Sequence, residues 1–153
     1  RSASQRLSAG APSNLVVFDL TFDLESTELV VLAQADQASS FAVERAAGLF
    51  QSLGKTVVII SDHPGMVVMR TLALLVDEAA DAVQKGIATP ADIEVAMQEG
   101  VNYPRGLLGW GDRVGPGTLV RVLDHLRHAT GDGRYRASER LRRSAVSGGS
   151  LLA

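Results

Sequence analysis

Every strand-like run in the sequence lies before residue 62, and everything after that point repeats with helical period. Three short segments are rich in Val, Ile and Leu and end in turn-prone polar sequence: Asn14–Leu20 (NLVVFDL), Glu28–Gln34 (ELVVLAQ) and Lys55–Ser61 (KTVVIIS). Between the second and third, Ser40–Leu53 changes period. There Phe41, Ala42, Arg45, Ala46, Leu49, Phe50 and Leu53 fall along one helical face, with Arg45 at its margin, and Gly54 stands where a C-terminal cap belongs. Strand, helix and strand joined by a short turn predict a βαβ unit, which crosses over right-handed in nearly all proteins. One such unit and one extra strand make a layer too thin to be a whole nucleotide-binding domain.

From Asp62 onward the sequence predicts helices. Pro64 suits the first turn of a long one, where its missing N–H costs nothing. That helix, to about Lys85, is apolar almost all round in its first half, while Arg70, Asp77, Asp81 and Gln84 share one stripe. A helix of this kind is buried on most sides, in a bundle or in a subunit interface. Thr89-Pro90-Ala91-Asp92 reads as an N-cap, a proline at the first helical position and an acid at the third, opening a short helix to about Glu99. Gly100–Gly117 reads as a loop dense in Gly and Pro that carries Tyr103 and Trp110. Thr118–Ala129 is amphipathic, with Leu119, Val122, Leu123 and Leu126 on its core face, and Ser138 caps a last basic helix. The expected layout is therefore a linker or disordered arm over 1–13, a partial Rossmann-like α/β segment over 14–61, a helical domain over 62–146 and a frayed tail over 147–153.

Composition narrows the function. Fifteen basic and 17 acidic residues leave a formal charge of −2, without the basic stripe of a nucleic-acid binder. There is no cysteine, which removes disulfides, thiol catalysis and cysteine-ligated zinc and fits a cytoplasmic setting. The longest apolar run, Met66–Val76, is interrupted by Arg70 and is too short to span a bilayer, so no membrane partner is expected. The sequence opens on Arg1 rather than Met, which leads us to expect a fragment or a processed form.

Each cluster of chemically able residues has a plain structural explanation. Gly109-Trp-Gly-Asp-Arg-Val-Gly115 imitates a dinucleotide loop, but such a loop must follow a strand and open a helix. This one stands between helices and precedes Pro116, so its glycines read as a turn. His125 and His128, beside Asp124, have no third metal ligand at a recognisable spacing and suit a helix C-terminus. Asp62 and His63 sit at a strand-to-helix junction, where Asp62 serves as a helix N-cap. Asp77, Glu78 and Asp81 form a polar helix face. Arg134, Arg136, Arg140, Arg142 and Arg143 suit a phosphate, an acidic neighbour or mere solvation. No catalytic, cofactor-binding or metal residue is predicted in this chain.

The order of features from Leu53 onward resembles the C-terminal half of the 3-hydroxyacyl-CoA dehydrogenases, of the 3-hydroxybutyryl-CoA and 3-hydroxyadipyl-CoA type. The matching stretches are Leu53-Gly-Lys-Thr-Val57, Asp62-His-Pro-Gly65, Arg70, Asp77-Glu-Ala79 and Gly86-Ile-Ala-Thr-Pro-Ala-Asp-Ile93, then Ala96-Met97, Gly100-Val-Asn-Tyr-Pro104 and Arg134-Tyr-Arg136. The resemblance runs from about Asn14 to Arg143 and implies an α/β remnant followed by an all-α domain of the 6-phosphogluconate dehydrogenase C-terminal kind. In active members the strand matching Leu15–Leu20 carries a catalytic histidine. Here Val16 takes the histidine's place, Asp19 that of a following asparagine, Val31 that of the partnering glutamate, and Met69 that of the asparagine before the arginine. A valine cannot move a proton, so hydroxyl oxidation has no general base.

This pattern resembles the degenerate second repeat of the long bacterial members, including those of phenylacetate breakdown. It implies a parent that oxidises 3-hydroxyacyl-CoA to 3-oxoacyl-CoA with NAD, while this chain holds no cofactor and is inactive alone. Its partners would be a second copy or the N-terminal catalytic half of the same protein, and acyl-CoA. Arg70, Asn102, Tyr103 and Trp110 are the candidates for interface or substrate cleft. The alternative is a free-standing module that keeps the fold for dimerisation or acyl-CoA binding. A third reading lets His63 restore catalysis.

Overall fold

The computed structural model describes all residues, Arg1–Ala153. They form two compact units, Arg1–Met69 and Arg70–Ala153.

The first unit contains α1 (Ala3–Leu7), β1 (Val16–Phe18), β2 (Leu29–Gln34), α2 (Ser40–Ser52) and β3 (Thr56–Ile59). The strands lie in the order β1-β2-β3, with β1 antiparallel and β3 parallel to β2. Phe18 pairs with Leu32, and Leu32 with Ile59, so the β2–α2–β3 crossover expected from the Val/Ile runs is present. Val30, Leu32 and Ala33 of the central strand are buried, and α2 contributes Val43 to this core. The ring of Phe50 meets Phe18 edge-on at 5.8 Å.

Two expectations fail in this unit. Residues 1–13 are not a free arm, because α1 is anchored. Ser2 and Gln5 form a reciprocal capping box, and Ala3 is fully buried. Nor does α2 bury the whole face its apolar residues mark out: Phe41, Leu49 and Leu53 are 62%, 59% and 62% exposed. Its apolar set is wider than the three-stranded sheet can cover, and Arg45 lies over the Phe41 ring at 5.5 Å.

The long helix α3 (Val68–Gln84) begins six residues later than Asp62. Pro64–Val67 form a turn instead of the first helical residues, with Gly65 and Met66 at φ 72° and 47°. Met66 tolerates this uncommon backbone region with its side chain buried.

In the second unit, α3 presents Leu72, Ala73, Val76, Ala79 and Ala80 to the core, and Asp77 is buried with them. The helix α4 (Pro90–Val95) starts at the expected Thr89 box and runs on through a π-helical turn, Ala96–Gly100. Then come α5 (Leu107–Val114), α6 (Pro116–Thr130), a 3₁₀ turn (Gly133–Tyr135) and α7 (Glu139–Ser147). No helix is long and apolar enough to cross a membrane.

The helix α5 replaces the loop expected between Gly100 and Gly117. Its cap comes from outside: the Glu94 carboxylate accepts the N–H groups of Leu108 at 2.8 Å and Gly109 at 3.2 Å. A Cβ on Gly106 would stand 2.0 Å from Glu94 Oε2, and one on Gly111 would stand 2.6 Å from Val76 and 2.7 Å from Leu151. These glycines permit close approach; they do not break the helix. The tail is likewise docked rather than frayed. Leu151 is fully buried, its N–H donates to Asp112 at 2.8 Å, and Arg140 donates to the carbonyls of Leu151 and Ala153 at 3.0 and 2.7 Å.

Candidate functional site at the end of β1

Antiparallel register with β2 sets the geometry at the end of β1. Val16 pairs with Gln34, whereas the Asp19 N–H donates to the Val31 carbonyl at 3.0 Å. Val16 and Val31 are thus three rungs apart, and since side chains alternate faces along a strand they lie on opposite sides of the sheet. Neither carries a proton to move.

Asp19 is the one charged group here, and it is only 4% exposed. Its Oδ2 accepts the N–H groups of Val67 at 2.8 Å and Val68 at 2.6 Å, and its Oδ1 accepts those of Met69 at 3.1 Å and Leu20 at 2.7 Å. The first three amides open α3 and have no partner within that helix. A carboxylate also suits the positive end of the helix dipole. Asp19 is therefore an N-cap supplied from 48 residues away, with both oxygens fully used. No local pattern near Val67 announces this cap.

Asp62 does not cap α3, as its position suggests; it joins the Ser2 cap at the start of α1. Its two oxygens accept the N–H groups of Ala3 and Ser4, each at 2.7 Å. Burial pushes the Asp62 carboxyl up, but the hydrogen bonds from Ser4, Ala3 and Ser2 outweigh it and hold the group below its ordinary value. His63 beside it is exposed.

The cleft candidates separate into two places in the second unit. Asn102 adopts a left-handed conformation, φ 59°, which Asn tolerates better than most residues. The chain reverses there: the Tyr103 N–H returns to the Met97 carbonyl at 3.1 Å, and the Tyr103 ring lies 6.2 Å from that of Trp110, tilted by 44°. Arg70 is engaged by Tyr135. It donates to the phenol oxygen and its guanidinium lies 5.3 Å from the ring centre. Tyr135, in the matching stretch Arg134-Tyr-Arg136, is buried, and neither its contact with Arg70 nor the role of Glu94, which depends on Gly106 in space, has a local signal in the sequence.

The remaining candidates have partners of their own. Asp77 accepts the Ser138 N–H at 2.7 Å, and burial pushes its carboxyl above the ordinary range despite that bond. Asp81 pairs with Lys85. Arg134 pairs with Asp132 at 2.6 Å, Arg142 with Asp124, and Arg143 lies 3.8 Å from Glu139. His128 is exposed on α6 and His125 partly so.

Family models match both parts of this architecture. Residues 65–150 match the C-terminal domain of 3-hydroxyacyl-CoA dehydrogenase. Residues 1–64 match the 3-hydroxybutyryl-CoA dehydrogenase reduced Rossmann-fold domain. The chain belongs to the 3-hydroxyacyl-CoA dehydrogenase family. Among curated relatives, the 3-hydroxyadipyl-CoA dehydrogenase of Escherichia coli K12 is 41% identical over 127 residues, covering 83% of this chain and 27% of that protein. A probable 3-hydroxybutyryl-CoA dehydrogenase of Deinococcus radiodurans is 29% identical over 92% of this chain and 50% of its own length. The crystal structure of an E. coli K12 3-hydroxybutyryl-CoA dehydrogenase superposes with TM-score 0.86 at 38% identity, over 97% of this chain and 31% of that one. Mycobacterium tuberculosis FadB2 gives 0.86 at 26% identity, over 97% and 53%. The chain thus spans from about a quarter to about half the length of these dehydrogenases. The expected fold, an α/β remnant before a helical domain, is the one observed and the one these relatives share.

Proposed function

We propose that this chain is the C-terminal, non-NAD-binding region of a 3-hydroxyacyl-CoA dehydrogenase, kept for dimer-like packing and for shaping the acyl-CoA cleft. The parent reaction is the NAD-dependent oxidation of a 3-hydroxyacyl-CoA to the 3-oxoacyl-CoA. The reading rests on the resemblance, which aligns Val16 and Val31 with the proton-transferring residues of active members although the two valines lie on opposite faces of the sheet here, and on Asp19, which has both oxygens committed to backbone amides. A side chain so committed has no lone pair directed at a substrate.

The residues do not fit NAD. Pyrophosphate needs close backbone approach at a strand-to-helix turn, which glycines provide. The β2–α2 connection here is Ala35-Asp36-Gln37-Ala38-Ser39, without glycine and with an acid at its second position. Its charge opposes that of a phosphate. Support for a cleft role comes from the Tyr103–Trp110 pair, which places two aromatic rings beside a rigid chain reversal at Asn102.

The test is titration of the full chain with acetoacetyl-CoA while Trp110 fluorescence is followed. Saturable quenching that is lost on Tyr103→Ala supports the cleft. Absence of any saturable change removes acyl-CoA from the reading and leaves packing alone.

A further inference from the structure

We propose that the cavity between α7, the end of α3 and the docked tail is a binding site for a phosphate monoester, held by Arg140 and Arg143.

The fold treats the arginines of the C-terminal segment differently. Arg134 is matched by Asp132 and Arg142 by Asp124. Arg140 and Arg143 are neighbours on α7 at a spacing of one helical turn, and Ser144 and Ser147 follow each of them one turn later, so the four share a face. That face lines a cavity of about 530 Å³, whose other walls include Gln84 of α3 and Ser150 of the tail.

Arg140 is fixed there but not neutralised. Its Nη2 donates to the carbonyls of Leu151 and Ala153 at 3.0 and 2.7 Å, and its backbone N–H donates to Gln84 Oε1 at 2.7 Å. Its Nε is buried without a partner, and no Asp or Glu pairs with it. A guanidinium is always charged, and one already held in a single orientation loses little freedom on meeting a further acceptor. Arg143 has only Glu139, 3.8 Å away with both side chains exposed. Such a pair is weak and yields to a better acceptor.

A phosphate monoester fits these groups. It carries up to two negative charges near neutral pH, and its oxygens accept from guanidinium forks and from serine hydroxyls alike. A small anion suits the site better than an acidic protein surface does, because the groups line a concavity and Ser144 is only 9% exposed. The volume is that of a small-molecule site and leaves room for a sugar beside the phosphate. Glu139 is the one acid in the lining, and its charge opposes the ligand.

Isothermal titration calorimetry of the full chain with inorganic phosphate and with ribose 5-phosphate, at an ionic strength fixed with chloride, tests the site. We expect saturable binding in which the two ligands compete. Arg140→Gln should weaken it about tenfold. Glu139→Gln, which removes the opposing charge, should tighten it about threefold. Arg140 also pins the tail, so Arg143→Gln, at a side chain 80% exposed, covers the case in which the first variant fails to fold; it should weaken binding with an unchanged circular dichroism spectrum. The absence of saturable binding by either ligand overturns the proposal. So does binding that the folded arginine variants leave unchanged, or that Glu139→Gln weakens, since another site then holds the phosphate.

Discussion

Replacing Asp19 by Ala removes the acceptor of three amides that open α3. Loss of a side-chain N-cap costs about 1 kcal/mol and up to about 2. Asp19 is buried at 4% exposure while Val67 and Val68 are 52% and 41% exposed, so water reaches the stranded amides in part, and a donor left without a partner adds no more than a fully buried one, about 1–3 kcal/mol. Allowing for partial relaxation, we expect Asp19→Ala to lose about 3 kcal/mol. Asp19→Asn keeps one oxygen, enough for Val67 and Val68, and turns an N–H₂ group toward Met69; we expect it to lose about half as much. Urea unfolding followed by circular dichroism reads this directly. With a slope of about 2 kcal/mol per molar, the alanine midpoint falls by about 1.5 M. Hydrogen exchange at Val67–Met69 localises the loss to the start of α3. An alanine variant within about 0.5 kcal/mol of wild type would refute the capping role.

Three further outcomes follow from close contacts and buried charge. Gly106→Ala drives a methyl into the Glu94 carboxylate and should lose about 2–3 kcal/mol; because both changes destroy one cap, adding Glu94→Ala should cost little more in a double-mutant cycle. Gly111→Ala overpacks Val76 and Leu151 by about 1–3 kcal/mol, and Leu151→Ala in the same chain should restore part of the loss in thermal melts. Burial raises the Asp77 carboxyl pKa in the folded chain, so its protonated form is the one folding favours. That contribution is complete below the unfolded value of about 3.9 and is lost as pH rises through the raised folded value. Asp77→Asn, which keeps an acceptor for Ser138, should therefore gain stability relative to wild type between mildly acidic and neutral pH. A difference that does not change with pH would contradict this.

Local pattern reveals elements whose signal is their own, and misses those completed from a distance. The Val/Ile run of β3, the Thr89–Asp92 box of α4 and Ser138 ahead of α7 all act within a few residues, and all are where the sequence puts them. The helix α5 is hidden because its cap is Glu94 and because Gly109 and Gly111, read as breakers, answer to side chains elsewhere in the second unit. The anchoring of α1 by Asp62 and of the tail by Asp112 and Arg140 is equally nonlocal. At Val16 on β1 and Val31 on β2 the sequence shows two hydrocarbon side chains, which have no proton to move. What Asp19 gained was not visible, because its three donors lie 48–50 residues further on.

The central claim is that a proton-transfer site has become a structural one. It is met most directly by assaying the full chain for NADH-dependent reduction of acetoacetyl-CoA, with NADH binding followed by its fluorescence. The account predicts no turnover and no saturable NADH binding, in wild type and in Asp19→Asn alike. Turnover above background, abolished by His63→Ala, would contradict it and move the chemistry to the β3–α3 junction.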